Sequence, residues 1–179
     1  MKKKKKFQQV NYKNIIYIFL RYIILLGLMF SLPIIYRILI PITVYLTSFL
    51  LSLIYNIRIM GSMIMVNSFI SIEIISSCVA GSAYLLLLIL NLTTPMKLNQ
   101  RIKSIIFSLT LFFILNILRI FIFSILIVNN FKYFDLTHEL SWLLISTLFV
   151  VGIWFLTAKL FKIKNIPIYS DIKYLLNLK

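Results

Sequence analysis

The chain has 179 residues, 61% of them hydrophobic and 13% charged, with a mean hydropathy of +1.01. Soluble domains are about half apolar and about a quarter charged, so a soluble enzyme, a disordered chain and a secreted disulfide scaffold are excluded. The apolar residues fall in runs of spanning length, and the chain reads as a single membrane domain, residues 1–179.

The formal charge of +15 comes from 19 Lys and Arg against four acids, Glu73, Asp135, Glu139 and Asp171. The lysines at 2–6, the group Lys97, Arg101 and Lys103, and the group Lys159, Lys162 and Lys164 each abut an apolar run. That is the pattern of cytoplasmic segments facing anionic lipid, and no aromatic-interleaved basic surface points to nucleic acid. Cys78 is the only cysteine, which excludes an intramolecular disulfide and a multi-cysteine metal site. With one histidine, no His-Glu-x-x-His arrangement exists, and no metal or cofactor is expected.

In chain order, a basic cytoplasmic N-terminus at residues 1–13 precedes a helical bundle over 14–158. Its first span runs from about 14 to 36 with Arg21 and Pro33 inside it, and it reads as an uncleaved anchor. The run 38–55 carries Pro41, Thr43, Thr47 and Ser48. If all three basic clusters face the cytoplasm, an even number of crossings separates each pair, so 38–55 is expected to lie as an interfacial or re-entrant helix on the outer side; the alternative is five crossings with the lysines at 2–6 outside, which the charge rule disfavours. Within 56–75, Ile70, Ile72 and Ile74 alternate with Ser71 and Glu73, and Gly61-Ser62 and Asn67-Ser68 are turn candidates. This predicts a short outer-face segment resembling a β-hairpin. Three further spans follow at about 76–92, 104–128 and 136–158; the four predicted spans are roughly 25–37 Å long. The tail 159–179 is basic, and Pro167 opens a short amphipathic piece expected on the inner surface. The predicted fold is an all-α integral membrane protein: a multi-spanning bundle of about four crossings, plus the interfacial or re-entrant helix and the hairpin-like segment.

This topology brings Cys78, Arg119 and His138 toward one face. Ser76 or Ser77 is expected to cap the second span, leaving Cys78 in a first turn whose dipole favours the nucleophilic thiolate. Gly81 and Ser82 follow and leave space beside the sulfur. Arg119 lies about nine residues, roughly 14 Å, inside the third span. A buried arginine costs at least ~2.5–3.5 kcal/mol on insertion scales and is by default functional. Asn116, one turn earlier, is expected to orient its guanidinium. His138 opens the fourth span, with Asp135 or Thr137 as its cap, in a setting that favours a neutral, proton-accepting imidazole. A thiol, a base and a fixed cation are the parts that acyl transfer requires. The plainer readings are a packing cysteine, an interfacial histidine, Glu73 as a strand-face charge with Arg58 or Arg119 as candidate partners, and Trp142 and Trp154 as interfacial anchors.

The stretches Glu73-Ile-Ile-Ser-Ser-Cys78-Val-Ala-Gly81, Asn116-Ile-Leu-Arg119-Ile120 and Phe134-Asp135-Leu-Thr-His138-Glu139 resemble, in order and spacing, the Cys, Arg and His blocks of the archaeosortase/exosortase family, the archaeosortase branch being the closer likeness. These are membrane-embedded cysteine transpeptidases of protein sorting. The likeness covers roughly 50–154, and Val79 stands where that family usually carries Ser or Thr. The resemblance implies an enzyme that recognises a tripartite C-terminal sorting signal on surface proteins. Cys78 would form a thioester, His138 would be the acid/base and Arg119 the oxyanion or substrate-orienting cation, with transfer to an acceptor expected to be a membrane lipid. Two other readings stand beside it. One is a non-catalytic membrane assembly or transport subunit with a structural Arg119; the other is a different membrane acyltransferase or peptidase using the same Cys and His.

Overall fold

The computed structural model describes residues 12–163. The lysines at 2–6 and the tail piece opened by Pro167 lie outside the described residues. The expected first span is divided in two. Helix α1, Tyr12–Met29, closes with tight bonds from Phe30 N to Gly27 O (3.1 Å) and from Ser31 N to Leu28 O (3.0 Å). Helix α2, Leu32–Ser52, then begins with Pro33 in its first turn. Proline has no amide to donate and is tolerated there, so it starts a new helix where the hydropathy alone reads as continuous.

Helix α2 corrects the expected separate helix at 38–55, which is the continuation of α2 through Pro41. The polar residues that argued against a crossing, Thr43, Thr47 and Ser48, face the protein interior and are buried. Ile38, Ile42, Tyr45 and Phe49 face outward. A helix with polar residues inside and apolar residues outside is built for lipid. Leu32–Ser52 is one of three described helices long and apolar enough to cross a membrane.

Three strands follow, β1 (Ile57–Met60), β2 (Met63–Val66) and β3 (Ile70–Glu73), forming an antiparallel meander in the order β1-β2-β3. The expected hairpin therefore has a third strand. Its turns are at Gly61, with φ 62°, and at Asn67-Ser68, with φ 50° and 62°. The register aligns Ile57, Val66 and Ile70 in one row and Ile59, Ile64 and Ile72 in the next. Of this face, Ile57, Ile64, Val66, Ile70 and Ile72 pack with Val44 and Leu51 of α2, while Ile59 at its outer margin is exposed. Alternation with a period of two creates the buried face, and burying it against α2 fixes the register.

Helices α3 (Ser76–Val79), α4 (Gly81–Thr93) and α5 (Leu98–Val128) come next. Ser76–Thr93 and Leu98–Val128 are the other two spanning candidates. Asn91 of α4 donates to Leu87 O (2.8 Å) and Ser108 Oγ (3.2 Å) and accepts from Ser104 Oγ, so small polar groups join α4 to α5 where the exterior is apolar. The fourth expected span, 136–158, is interrupted. It comprises α6 (Phe134–Leu140), a π-helical turn at Ser141–Ile145 and α7 (Ser146–Leu160), with helical backbone at each junction. At 15 residues, α7 alone is shorter than the ~20 that a bilayer requires. Around the bundle, Phe19, Phe49, Ile106, Leu148 and Phe155 are exposed, whereas Asn91, Ser104, Ser108 and Asn116 are buried. That inverted distribution is the exterior of a membrane protein.

Candidate active site

Strand β3 leads directly to the cysteine. Ile74 N donates to Ser62 O (3.0 Å), closing the sheet ladder. Ile75 is extended (φ −98°, ψ 173°), and Cys78 N donates to Ile75 O (3.0 Å). Ile75 thus occupies the capping position, with no side-chain cap, so neither Ser76 nor Ser77 caps as expected. The turn is a single one because Ala80 adopts the left-handed conformation (φ 55°, ψ 45°) before α4 begins. A non-glycine residue there costs roughly 1–2 kcal/mol.

That break leaves the carbonyls of Cys78 and Val79 to side chains of α5. Asn116 Nδ2 donates to Cys78 O (3.1 Å) and Val79 O (3.3 Å), and Arg119 Nη2 donates to Cys78 O (3.3 Å). Arg119 Nη1 donates to Ser146 Oγ. Asn116 and Arg119, three apart on one helical face, hold the same carbonyl; Asn116 does not orient the guanidinium as expected. Beside Gly81 there is no open space: a Cβ there would lie 2.5 Å from Cε1 of Tyr36. The room expected beside Gly81 is filled by that ring, and the open space next to Cys78 lies on its other side, toward β3 and α5.

His138 lies in the last turn of α6. Its ring stacks on Phe134 (centroids 5.5 Å, 9°) and meets the edge of Phe123 (5.4 Å, 79°), so two aromatics hold the imidazole. Thr137 is not a cap: its hydroxyl donates backward to Tyr133 O (2.8 Å) and Phe134 O (2.9 Å). Asp135 is in the first turn and exposed, and α6 has no side-chain cap. The π-helical turn matters for this helix. Residues eight apart on a regular helix point about 80° from one another, and one extra residue in a π turn reduces this to about 20°. Ser146, which holds Arg119, and His138 thereby share a face.

A cavity of about 230 Å³ lies between β3, α3, α5 and α6. Cys78, Arg119 and His138 all line it, together with Glu73, Phe123 and Ser124. Strand β2 lies between Glu73 and Arg58, and among the described residues Glu73 forms an ion pair with neither Arg58 nor Arg119. Cys78 is half-buried and forms no disulfide, and Arg119 is buried. Sequence reasoning missed Ser124, whose Oγ is buried with no hydrogen-bond partner. It also missed Ser146. Ser124 was findable: Ser104, Ser108, Asn116 and Ser124 recur at multiples of four, which marks one buried polar stripe along α5. Among the described residues no group of His, Cys, Asp and Glu is arranged to hold a metal. A thiol, an imidazole and a guanidinium around one largely apolar cavity can support nucleophilic attack on a carbonyl and stabilise the resulting oxyanion. Compared with known proteins, the chain matches no family model, no curated protein and no solved structure.

Proposed function

We propose that the chain is a membrane-embedded cysteine transpeptidase. It would cleave C-terminal sorting signals of surface proteins and transfer them to an acceptor, with a membrane lipid as the expected one. The observation that supports this most is that Cys78, Arg119 and His138, which come from three separate elements, line a single cavity. The likeness of the Cys, Arg and His stretches to the archaeosortase/exosortase family supplies the substrate class.

In this reading His138 removes the proton from Cys78 Sγ, and the sulfur attacks the scissile carbonyl carbon. As the C–S bond forms, the oxyanion faces Arg119. Each Nη of that side chain carries a second N–H beyond the one given to Ser146 or to the Cys78 carbonyl. Collapse expels the amine, which takes the proton from His138, and leaves a thioester. The acceptor nucleophile then gives its proton to His138, attacks the thioester carbon and releases Cys78 as the thiol.

The crossings of this proposal are α2, Ser76–Thr93, α5 and the run 134–160, with α1 lying in the cytoplasmic interface and its exposed Phe19, Ile23 and Leu26 set in the lipid. Two crossings then separate the lysines at 2–6 from Lys97, and two separate Lys103 from Lys159, so all three basic clusters face the cytoplasm. The sheet and the cavity face outward, where a translocated substrate arrives.

The test uses Cys78 as the only thiol. In sealed vesicles of known orientation, a membrane-impermeant maleimide should label Cys78 from the outer side, and more slowly in His138→Ala at neutral pH. Labelling only after denaturation, or only from the inner side, defeats the proposal. The structural reading of Arg119 has one observation in its favour, namely that both Nη atoms already hold protein oxygens. Under it, Cys78→Ser behaves as wild type in processing of surface proteins by cells expressing the chain.

A further inference from the structure

The cavity touches every residue from 71 to 75 in succession. Side chains on a strand alternate between faces, so contact with consecutive residues means that the cavity runs along the strand's edge rather than its face. Strand β3 is an outer strand of the sheet, paired only with β2. The bond from Ile74 N to Ser62 O identifies Glu73 and Met63 as a non-hydrogen-bonded pair in the ladder. By alternation, Ile70 and Ile72 direct their amides and carbonyls to β2, whereas Ser71 and Glu73 direct theirs away from it, along the cavity. No described residue takes up those outward groups. Across the cavity, the buried hydroxyl of Ser124 is also without a partner.

We infer that the free edge of β3 is the substrate-docking element: an extended peptide adds there as a fourth strand, in main-chain hydrogen bonds with Ser71 and Glu73. This inference rests on the proposed transpeptidase reading and deepens it. A row of alternating N–H and C=O groups is complementary to another extended backbone and to little else, which identifies the occupant as peptide. The same segment runs on from Glu73 through Ile75 into the turn that carries Cys78, so a peptide held on β3 is delivered to the sulfur. Ser124 faces the incoming strand from α5 and supplies a hydrogen bond to its far side. Recognition through main-chain groups leaves side-chain selectivity to the apolar walls.

Disulfide tethering to Cys78 tests this in detergent-purified full-length protein. The probe is an acetylated Val-Thr-Val-Thr peptide ending in a cysteamine pyridyl disulfide; Cys78 attacks the peptide sulfur and expels the pyridinethiol, which is followed by absorbance. Matched probes carry one N-methyl group at each amide in turn, and a peptide-free cysteamine pyridyl disulfide reports intrinsic thiol reactivity. The peptide should react faster than the peptide-free probe, and N-methylation at alternate amides should remove about tenfold of that gain, corresponding to one or two main-chain hydrogen bonds. Ser71→Pro, which removes an outward amide from an edge strand where proline is tolerated, should lower the ratio of peptide to peptide-free rates similarly. Equal rates for plain and N-methylated peptides overturn the inference, whether the edge is then bare or taken by a second copy of the chain. A folded protein whose Cys78 resists even the peptide-free probe overturns the nucleophile itself, and the docking inference with it.

Discussion

Replacing Asn116 by Leu tests whether the turn bearing Cys78 is held from α5. Asn116 donates to Cys78 O and Val79 O, and only the first has a second donor, Arg119. The substitution keeps side-chain bulk but leaves Val79 O unpaired in a buried, low-dielectric setting. Hydrogen bonds within membrane proteins average about 0.6 kcal/mol each by double-mutant cycles, so loss of two sets a floor near ~1 kcal/mol. An orphaned buried carbonyl costs about 1–3 kcal/mol, which sets the ceiling. The expected destabilisation is therefore about 1–3 kcal/mol, measured by reversible SDS unfolding of the protein in mixed micelles. Asn116→Asp should cost more, because it sets an acceptor against two carbonyl oxygens. Maleimide labelling of Cys78 should also change in Asn116→Leu, since the turn loses its anchor. If Asn116→Asp is as stable as wild type, the reasoning fails, because some other donor then satisfies α3.

Gly81→Ala brings a Cβ into the Tyr36 ring and should cost about 1–3 kcal/mol, with Tyr36→Ala in the double variant recovering most of the loss in the same unfolding assay. Ser124→Ala removes a buried hydroxyl that has no partner and should leave stability unchanged or raise it by about 1 kcal/mol, while slowing peptide tethering to Cys78. Deleting Leu144 should convert the π-helical turn to regular helix yet keep Ser146 within about 20° of His138, because seven residues of regular helix span nearly the angle that eight span across the π turn. Arg119 should then keep Ser146 and Cys78 labelling should stay near wild type; altered labelling in a chain that still folds refutes this account of the π turn. In a Cys78→Ala background, Ser62→Cys in the sheet should label from outside sealed vesicles and Lys97→Cys only after permeabilisation. The reverse pattern refutes the proposed orientation.

Much of the site was legible because its chemistry is rare in this composition. A single thiol, a single imidazole and an arginine inside an apolar run stand out against isoleucine and leucine, and all three line one cavity. The capping assignments were not legible. Ser76, Ser77 and Thr137 have the right chemistry for helix starts, yet Ile75 holds the position before α3 and Thr137 bonds backward to carbonyls. Short polar side chains satisfy either role, and the backbone entering the turn decides which. The third strand was hidden because residues 63–66 are uniformly apolar, without the alternation that marks Ile70–Glu73.

Sequence alone determined that this is an apolar, helical membrane protein, since the solvent requirement is written in composition and in run length, which need no long-range contact. The tertiary structure decided what each polar residue is for. Thr43, Thr47 and Ser48 look like obstacles to a crossing until α2 turns them inward. Asn116 and Arg119 acquire their partners only because Ala80 breaks the helix and frees two carbonyls opposite α5. A hydropathy run records how much surface lipid will accept. It carries no record of which face turns inward, because that depends on a neighbour far away in the chain.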